Sequence, residues 1–275
     1  MSVVRIAQIS DPHFGTVREG VREGLAETLR TLSPNLVLIT GDITQRARRR
    51  QFRQAYEFCQ SLQPIPVFAL PGNHDIPLFN VFARFFSPYG GFRKHFQNKL
   101  EMDWSHGGVQ LTCLNSTSRW RHVQGDFDLE RIEDRLRVKE PATQFRIAAL
   151  HHPMDCPKET DEKNLLKGRV KTMELFERAG IDLVLGGHIH DPYVTLSEDR
   201  YPEVKRRMIL AVAGTCLSWR IRKDAPNSFN LIEIETQLES SVSITRYDIG
   251  ADKLFHPQPG ARRFVRRGET GWLTT

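Results

Sequence analysis

Five short segments of this 275-residue chain carry side chains that could do chemistry together: Asp11-Pro12-His13, Gly41-Asp42, Gly72-Asn73-His74-Asp75, His151-His152-Pro153 and Gly187-His188-Ile189-His190. They supply carboxylate, imidazole and amide oxygen, and no thiolate. That donor mixture suits Mn, Fe, Zn or Co rather than a structural zinc. The donors outnumber what one ion needs. Two divalent or trivalent transition-metal ions sharing a carboxylate would use them all, an arrangement suited to phosphoryl transfer. Taken singly the motifs are weak: Gly-Asp says little, and Asp-x-His arises by accident. Gly-His-x-His is more telling, because 19 glycines and 10 histidines in 275 residues give it by chance only about once in 40 such chains.

Each segment directly follows a strand-like run. Alternation and apolar runs predict strands over 3–10, 36–40, 67–70, 145–150 and 182–185, each ending where one motif begins. Residues two apart at a strand end point the same way, so Asp11 with His13, and His188 with His190, can each aim two donors into one cavity. Helical periodicity covers 21–32, 49–62, 129–138 and 171–179, and further strands are expected over 109–114, 208–213, 229–234 and 242–247. Alternating β and α units followed by a run of strands predict an α/β core with a mixed, doubled sheet. The region from Tyr193 onward is expected as a second sheet packed on the first. If the motif-bearing strands run parallel, all five clusters reach one edge of the core, where sites form in such sheets.

The five motifs, as a set and in this order, resemble the calcineurin-like metallophosphoesterases. The nearer likeness is to the bacterial branch with class III cyclic-nucleotide phosphodiesterases and glycerophosphodiesterases. It spans Asp11 to His190 and is looser beyond, apart from Gly214-Thr215. The resemblance implies a four-layer α/β/β/α sandwich of two mixed sheets, with a dinuclear site on one edge. It implies that Asp11, His13 and His190 hold one metal, that Asn73, His151 and His188 hold the other, and that Asp42 bridges them. His151 is taken as the ligand of its pair because it leads the motif ending in Pro153, with His152 in a supporting role. His74 is carried over as a catalytic group that contacts phosphate, with Asp75 orienting it. Gln45 stands where purple members of the family have a tyrosine ligand, so no tyrosinate colour is expected. The additional arginines of the protein serine/threonine phosphatases are not found, which speaks against a phosphoprotein substrate.

The expected activity is therefore hydrolysis of a small-molecule phosphodiester, a cyclic nucleotide or a glycerophosphodiester, by hydroxide that two cations supply near neutral pH. A nuclease on the same fold is a rival, disfavoured because no aromatic-and-basic platform is evident along a groove. A phospholipid-headgroup hydrolase is another, permitted by the arginine clusters at 46–53 and 262–267. A non-catalytic scaffold fits the intact donor set poorly. Residues 87–108 and 154–170 are expected to wall the substrate pocket. His122 is read as an ordinary surface or core histidine; Arg119, Arg121 and Arg220 could meet phosphate, with solvated surface charge as the plainer reading.

Composition sets wider bounds. A net charge of +6 and a pI near 9.3 suit an anionic substrate, nucleic acid or anionic membrane surface without choosing among them. The opening segment alternates and is interrupted by Arg5 and Gln8, unlike a signal peptide, so a cytoplasmic setting is expected. Cys59, Cys113, Cys156 and Cys216 are widely spaced and are expected as reduced, buried thiols. Residues 1–250 are expected to form the phosphoesterase domain and 251–275 a loosely held basic tail.

Overall fold

A computed structural model describes residues 3–96, 99–222, 225–236 and 240–275. The elements run β1 (Val3–Ile9), α1 (Val21–Leu32), β2 (Leu36–Thr40), α2 (Arg49–Ser61), β3 (Val67–Leu70), α3 (Val81–Phe86), α4 (Gly90–His95), β4 (Asp103–His106) and β5 (Val109–Cys113). They continue with α5 (Leu129–Arg137), β6 (Phe145–Ala149), α6 (Arg169–Arg178), β7 (Leu183–Gly186), β8 (Tyr193–Leu196) and β9 (Ile209–Val212). The last five are β10 (Ser228–Glu235), β11 (Ser241–Ile249), β12 (Phe255–Pro257), β13 (Arg262–Arg266) and β14 (Trp272–Thr274).

Two mixed sheets lie face to face between helices. One has the order β14-β13-β11-β10-β1-β2-β3, with β12 on β11; the other is β4-β5-β6-β7-β9-β8. β1 and β2 show why their sequences are apolar throughout. Val4, Ile6, Leu36 and Leu38 point into the space between the sheets, where they meet Leu111, Ile147, Leu183 and Ile209. Their neighbours Ala7, Ile9, Val37 and Ile39 point outward, onto Leu25 and Leu29 of α1 and Phe52 and Ala55 of α2. A strand covered on both faces loses the polar alternation of a half-exposed one. On the other side Ala148, Val184 and Leu210 meet Ile132 and Leu136 of α5 and Met173 and Phe176 of α6. This is the expected four-layer α/β/β/α sandwich.

Strand direction assembles the motifs. β1, β2 and β3 run parallel in one sheet, and β5, β6, β7 and β9 run parallel in the other. The sheets are stitched together near the shared edge. Buried Gln8 donates to the Gly186 carbonyl at 2.9 Å, and Ser10 forms an isolated parallel bridge with Thr215.

Two expectations need correction. The strands from Tyr193 onward are not a separate sheet: β8 and β9 complete the second sheet, while β10 to β14 extend the first beyond β1. Nor do residues 251–275 form a basic tail. β13 pairs with β11 and β14 with β13, and Phe264 and Trp272 lie fully buried in the core between the sheets. Arg266, one of the four arginines of the apparent basic run, stacks over Trp272 at 5.1 Å and pairs with Asp182 at 2.8 Å. Those two apolar anchors outweigh the Pro, Gly and Arg content that suggested a loose end. All four cysteines are buried and unpaired. Among the described residues, no helix is long and apolar enough to cross a membrane.

Candidate metal centre

The loops after β1, β2, β3, β6 and β7 meet at one edge. Asp11, His13 and His151 are wholly buried, and Asp42, Asn73 and His190 nearly so. Five of these donors sit on strained backbone. Asp11, His13, Asp42, His188 and His190 all have positive φ, and they are five of the eight described non-glycine residues that do. Each such residue costs on the order of 1 kcal/mol or more, and persists only where surrounding contacts over-determine it. Those contacts are visible. The Asp11 carboxylate accepts from Ser10 Oγ at 2.5 Å and from the His188 backbone N–H at 3.0 Å, while Thr215 Oγ1 donates to the Asp11 carbonyl at 2.6 Å. Asp42 accepts from the His74 backbone N–H at 2.8 Å. Glycine is required beside them: at Gly41, with φ +97°, a Cβ would stand 2.2 Å from His151 Nδ1.

Hydrogen bonds set the histidine tautomers. His151 Nδ1 lies 2.8 Å from the Thr40 carbonyl, His190 Nδ1 2.7 Å from the Arg220 carbonyl, and His74 Nδ1 2.9 Å from the Gln45 carbonyl. A carbonyl can only accept, so each Nδ1 carries the proton and each neutral ring turns a lone pair on Nε2 toward the centre. The result is a convergence of acceptors. His190 Nε2 sits 3.0 Å from His13 Nε2 and 3.1 Å from Asp11 Oδ1. His151 Nε2 sits 3.1 Å from Asn73 Oδ1, 3.2 Å from His188 Nδ1 and 3.4 Å from Asp42 Oδ1. Asp42 lies between the groups, its other oxygen 3.7 Å from His13 Nε2.

Buried acceptors repel one another unless a positive charge stands among them. Protonation behaviour says the same. Burial opposes ionisation of Asp11 and Asp42, yet His190 holds the first, and His151 with His74 the second, below the ordinary carboxylate range. Burial pushes the His13 and His188 imidazoles down to about 3, whereas Asp42 raises His151 to about 9 against its burial. Bound metal cations supply that charge without protons, and they require the ionised carboxylates and neutral imidazoles that this donor set offers. Asp11, His13 and His190 form one potential ligand cluster, and Asp11, Asp42 and His151 another. His151, His152 and His188 form a third by proximity. His152 has its Nδ1 2.9 Å from Ser116 Oγ while its Nε2 is buried without a hydrogen-bond partner, and burial lowers its pKa well below the usual value.

The expected role of Asp75 is contradicted. Its carboxylate does not touch His74. It accepts from the Ile43 and Thr44 backbone N–H groups at 3.0 and 2.8 Å, from Thr44 Oγ1 at 2.8 Å and from the Gly72 N–H at 2.9 Å. Burial, then the charge of Asp42, pushes it up to about 7 against those donors. It ties the loop after β2 to the loop after β3, and the Gln45 carbonyl orients His74 instead.

A cavity of about 460 Å³ opens over the centre, bounded below by Asp42, Asn73, His74, His188 and His190. Its walls were mostly missed. Residues 87–108, of which 97 and 98 lie outside the described residues, contribute none of its lining, and 154–170 contributes Asn164. The remainder comes from His122 and Val123, from Ile189 of the Gly-His-x-His motif, and from Trp219, Arg220, Ile221 and Arg222. His122 stands 5.4 Å from the His74 ring, ring to ring. Arg220 donates to Gln45 Oε1 at 3.0 Å, and Arg222 pairs with Asp161 at 2.8 Å, so both guanidinium groups are held at the cavity. The run Trp219-Arg220-Ile221-Arg222, alternating apolar and basic five residues after Gly214, was the available signal.

Comparison with known proteins agrees with this geometry. Residues 4–192 match the model of the calcineurin-like phosphoesterases. A search of curated proteins finds no match. Among solved structures, a dimetal phosphatase from Danio rerio shares the fold with TM-score 0.61 and 12% identity, covering 98% of this chain and 98% of that one. A purple acid phosphatase from yellow lupin seeds gives TM-score 0.68 and 15% identity over 96% of this chain and 53% of its own, so this chain spans about half its length. A putative 5'-nucleotidase from Staphylococcus aureus gives 0.52 at 11% identity, over 99% of this chain and 54% of that one. At such identities these likenesses speak for the fold, whereas the family match covers most of the chain and all five motifs. The chain belongs to the calcineurin-like phosphoesterase family.

Proposed function

We propose that this protein is a dinuclear-metal-dependent phosphodiesterase acting on a cyclic nucleotide or a glycerophosphodiester. The observation that carries this reading is the convergence of buried acceptors beneath a cavity whose walls hold Arg220 and Arg222. Asp11, His13 and His190 would hold one ion of the Mn, Fe, Zn or Co group, and Asn73, His151 and His188 the other, with the Asp42 carboxylate shared. Bound there, the ions supply a water of lowered pKa and offset charge on the phosphate oxygens.

The chain's own groups do the remainder. Arg220 and Arg222 draw an anionic ester into the cavity and fix its orientation. His74 borders the same space with its Nδ1–H donating to the Gln45 carbonyl; protonated on Nε2 as well, as an imidazolium, it can hand that second proton to a departing alkoxide and return to the neutral Nδ1–H ring. Metal-loaded protein should be assayed against cyclic nucleotides, glycerophosphodiesters, phospholipids, single-stranded DNA and phosphomonoesters. Turnover of small diesters above monoesters is expected. Turnover of monoesters alone would overturn the diester assignment, and stoichiometric metal without turnover of any ester would overturn the enzyme assignment.

A further inference from the structure

Beside the cavity lies a surface that the hydrolytic reading does not use. α3 buries none of its residues. Phe79, Phe82 and Phe86 are 78, 74 and 76% exposed, and Trp120 is 71% exposed. These are not scattered apolar side chains of the ordinary kind. Phe82 and Phe86 pack ring to ring at 4.5 Å, and Phe85 meets Trp120 edge-on at 5.0 Å. The patch runs into the cavity mouth through Val123, which lines it, and the opposite lip carries Trp219 at 62% exposure with Ile221. Cations are interleaved. Arg46 lies over the Phe79 ring at 5.4 Å, and Arg119 lies over Trp120 at 5.7 Å while donating to the Phe85 carbonyl at 2.6 Å.

We propose that this rim docks on an anionic lipid surface and that, of the two candidate substrate classes, it is the glycerophosphodiester, carried by a membrane amphiphile, that reaches the metal centre. Phenylalanines grouped on one short helix, two flanking tryptophans and nearby arginines match the composition of an interfacial anchor, with rings entering the acyl boundary and guanidinium groups meeting lipid phosphates. The same elements could be read as a stacking platform for single-stranded nucleic acid. Two features favour lipid. Phe82 and Phe86 pack on each other rather than standing apart to receive bases, and Val81, Val123 and Ile221 are aliphatic, with no π-face to offer. The surface also adjoins the cavity, so a docked lipid presents its headgroup where the chemistry is. The arginine run at 262–267, which by charge alone would permit a membrane contact, is tied into the sheet by Phe264 and Arg266.

The substrate half of this inference rests on the phosphodiesterase reading, and the test separates the two. Wild-type protein and the double variant F82S/F86S are floated with phosphatidylcholine vesicles, with and without phosphatidylglycerol. The Mn-loaded proteins are then assayed on water-soluble bis(p-nitrophenyl) phosphate and on dodecyl p-nitrophenyl phosphate held in the vesicles. We expect wild type to bind the anionic vesicles, weakening with salt, and the variant to partition at least about tenfold less. The soluble diester should be cleaved equally by both within about twofold, and the vesicle-held one in proportion to binding. A control, R262A/R263A on the exposed sheet edge, should bind vesicles like wild type; an equal loss there would mean general charge adsorption and overturn the proposal. So would absence of vesicle binding, unchanged binding by F82S/F86S, or binding by the rim to an oligothymidylate or a second copy of the chain instead. Vesicle binding without cleavage of either nitrophenyl ester would sink the phosphodiesterase reading and leave the docking surface standing.

Discussion

The floor of the cavity and its rim are built by opposite rules. The floor is polar, buried and strained: Asp11, His13 and Asp42 adopt positive φ at the strand ends, Asp11 and Asp42 accepting from the His188 and His74 N–H groups and His13 donating its N–H to the Asp42 carbonyl. The rim is apolar and exposed, on the short helix α3 and on loops around Trp120 and Trp219 that bury little of themselves. Low burial leaves the rim few contacts that could fix it from within, so its composition is free to answer to a ligand. The floor has no such freedom, because moving any one donor leaves another buried acceptor without a partner. Chemistry is therefore fixed by strand ends, and substrate choice is left to segments that the core does not constrain.

This contrast fails first, if it fails, at Asp42. Its two oxygens face His151 and His13, so Asp42→Ala should release both ions and lower kcat/KM by about 10³-fold or more. Asn73→Ala should deplete mainly one ion, and both results are read by elemental analysis beside the assay. Undiminished metal in Asp42→Ala would remove the bridge from the floor. The histidine pair comes next. His151 faces Asn73 and Asp42, whereas His152 Nδ1 lies against Ser116 Oγ. His151→Ala should lose metal and nearly all activity. His152→Ala should keep metal and lose less, and the reverse would mean that the adjacent ring is the ligand.

The floor was legible in the sequence because its donors are anchored to strands, and strands announce themselves by apolar runs. Once β1, β2, β3, β6 and β7 are read, Asp11, Asp42, Asn73, His151 and His188 have only one edge on which to meet. What a donor touches is a different matter. Asp75 follows His74 in sequence and looks like its partner, yet the single turn Asn73–Asp75 sends the carboxylate back to Thr44. The rim was illegible for a related reason. His122 and Val123 lie on an irregular segment with no period to read, far from the motifs in sequence, and they reach the cavity only through tertiary packing. The strands β13 and β14 were hidden by composition, since Arg262, Arg263, Arg266 and Arg267 and the glycines at 268 and 271 surround the two buried anchors, Phe264 and Trp272.

A finer division lies within the floor, between holding the metals and moving a proton. Among the described residues, His74 lines the cavity floor without belonging to any of the potential ligand clusters, its Nε2 4.0 Å from Asp42 Oδ2. A proton from it matters only when the leaving group is poor. His74→Asn should keep both ions and slow an alkyl diester by about 10²–10⁴-fold, while slowing a nitrophenyl diester much less. Equal losses on both substrates would make His74 a phosphate contact instead of the acid, and loss of metal would make it part of the scaffold.

Asp75 should have the smallest catalytic effect, and it tests whether adjacency in sequence or contact in space decides a role. Its Oδ1 accepts two hydrogen bonds from Thr44, and its Oδ2 accepts one each from Ile43 and Gly72. An asparagine has one acceptor oxygen, so its amide would face two of those donors with hydrogens of its own. Two buried donors left unsatisfied cost about 2–4 kcal/mol together. Asp75→Asn should therefore lower Tm and the midpoint of urea unfolding, and loosen the loops that carry Asp42 and Asn73. It should leave the ratio of alkyl-diester to nitrophenyl-diester rates at the wild-type value, because His74 keeps its bond to the Gln45 carbonyl. Thr44→Val, which removes the hydroxyl donor to Oδ1 and the acceptor of the Ala47 N–H but keeps the Thr44 backbone donor, should destabilise in the same direction by less, about 1–2 kcal/mol. Unchanged stability with a selective fall on the alkyl diester would show that Asp75 acts through His74 after all, and the division between clamp and acid would have to be redrawn.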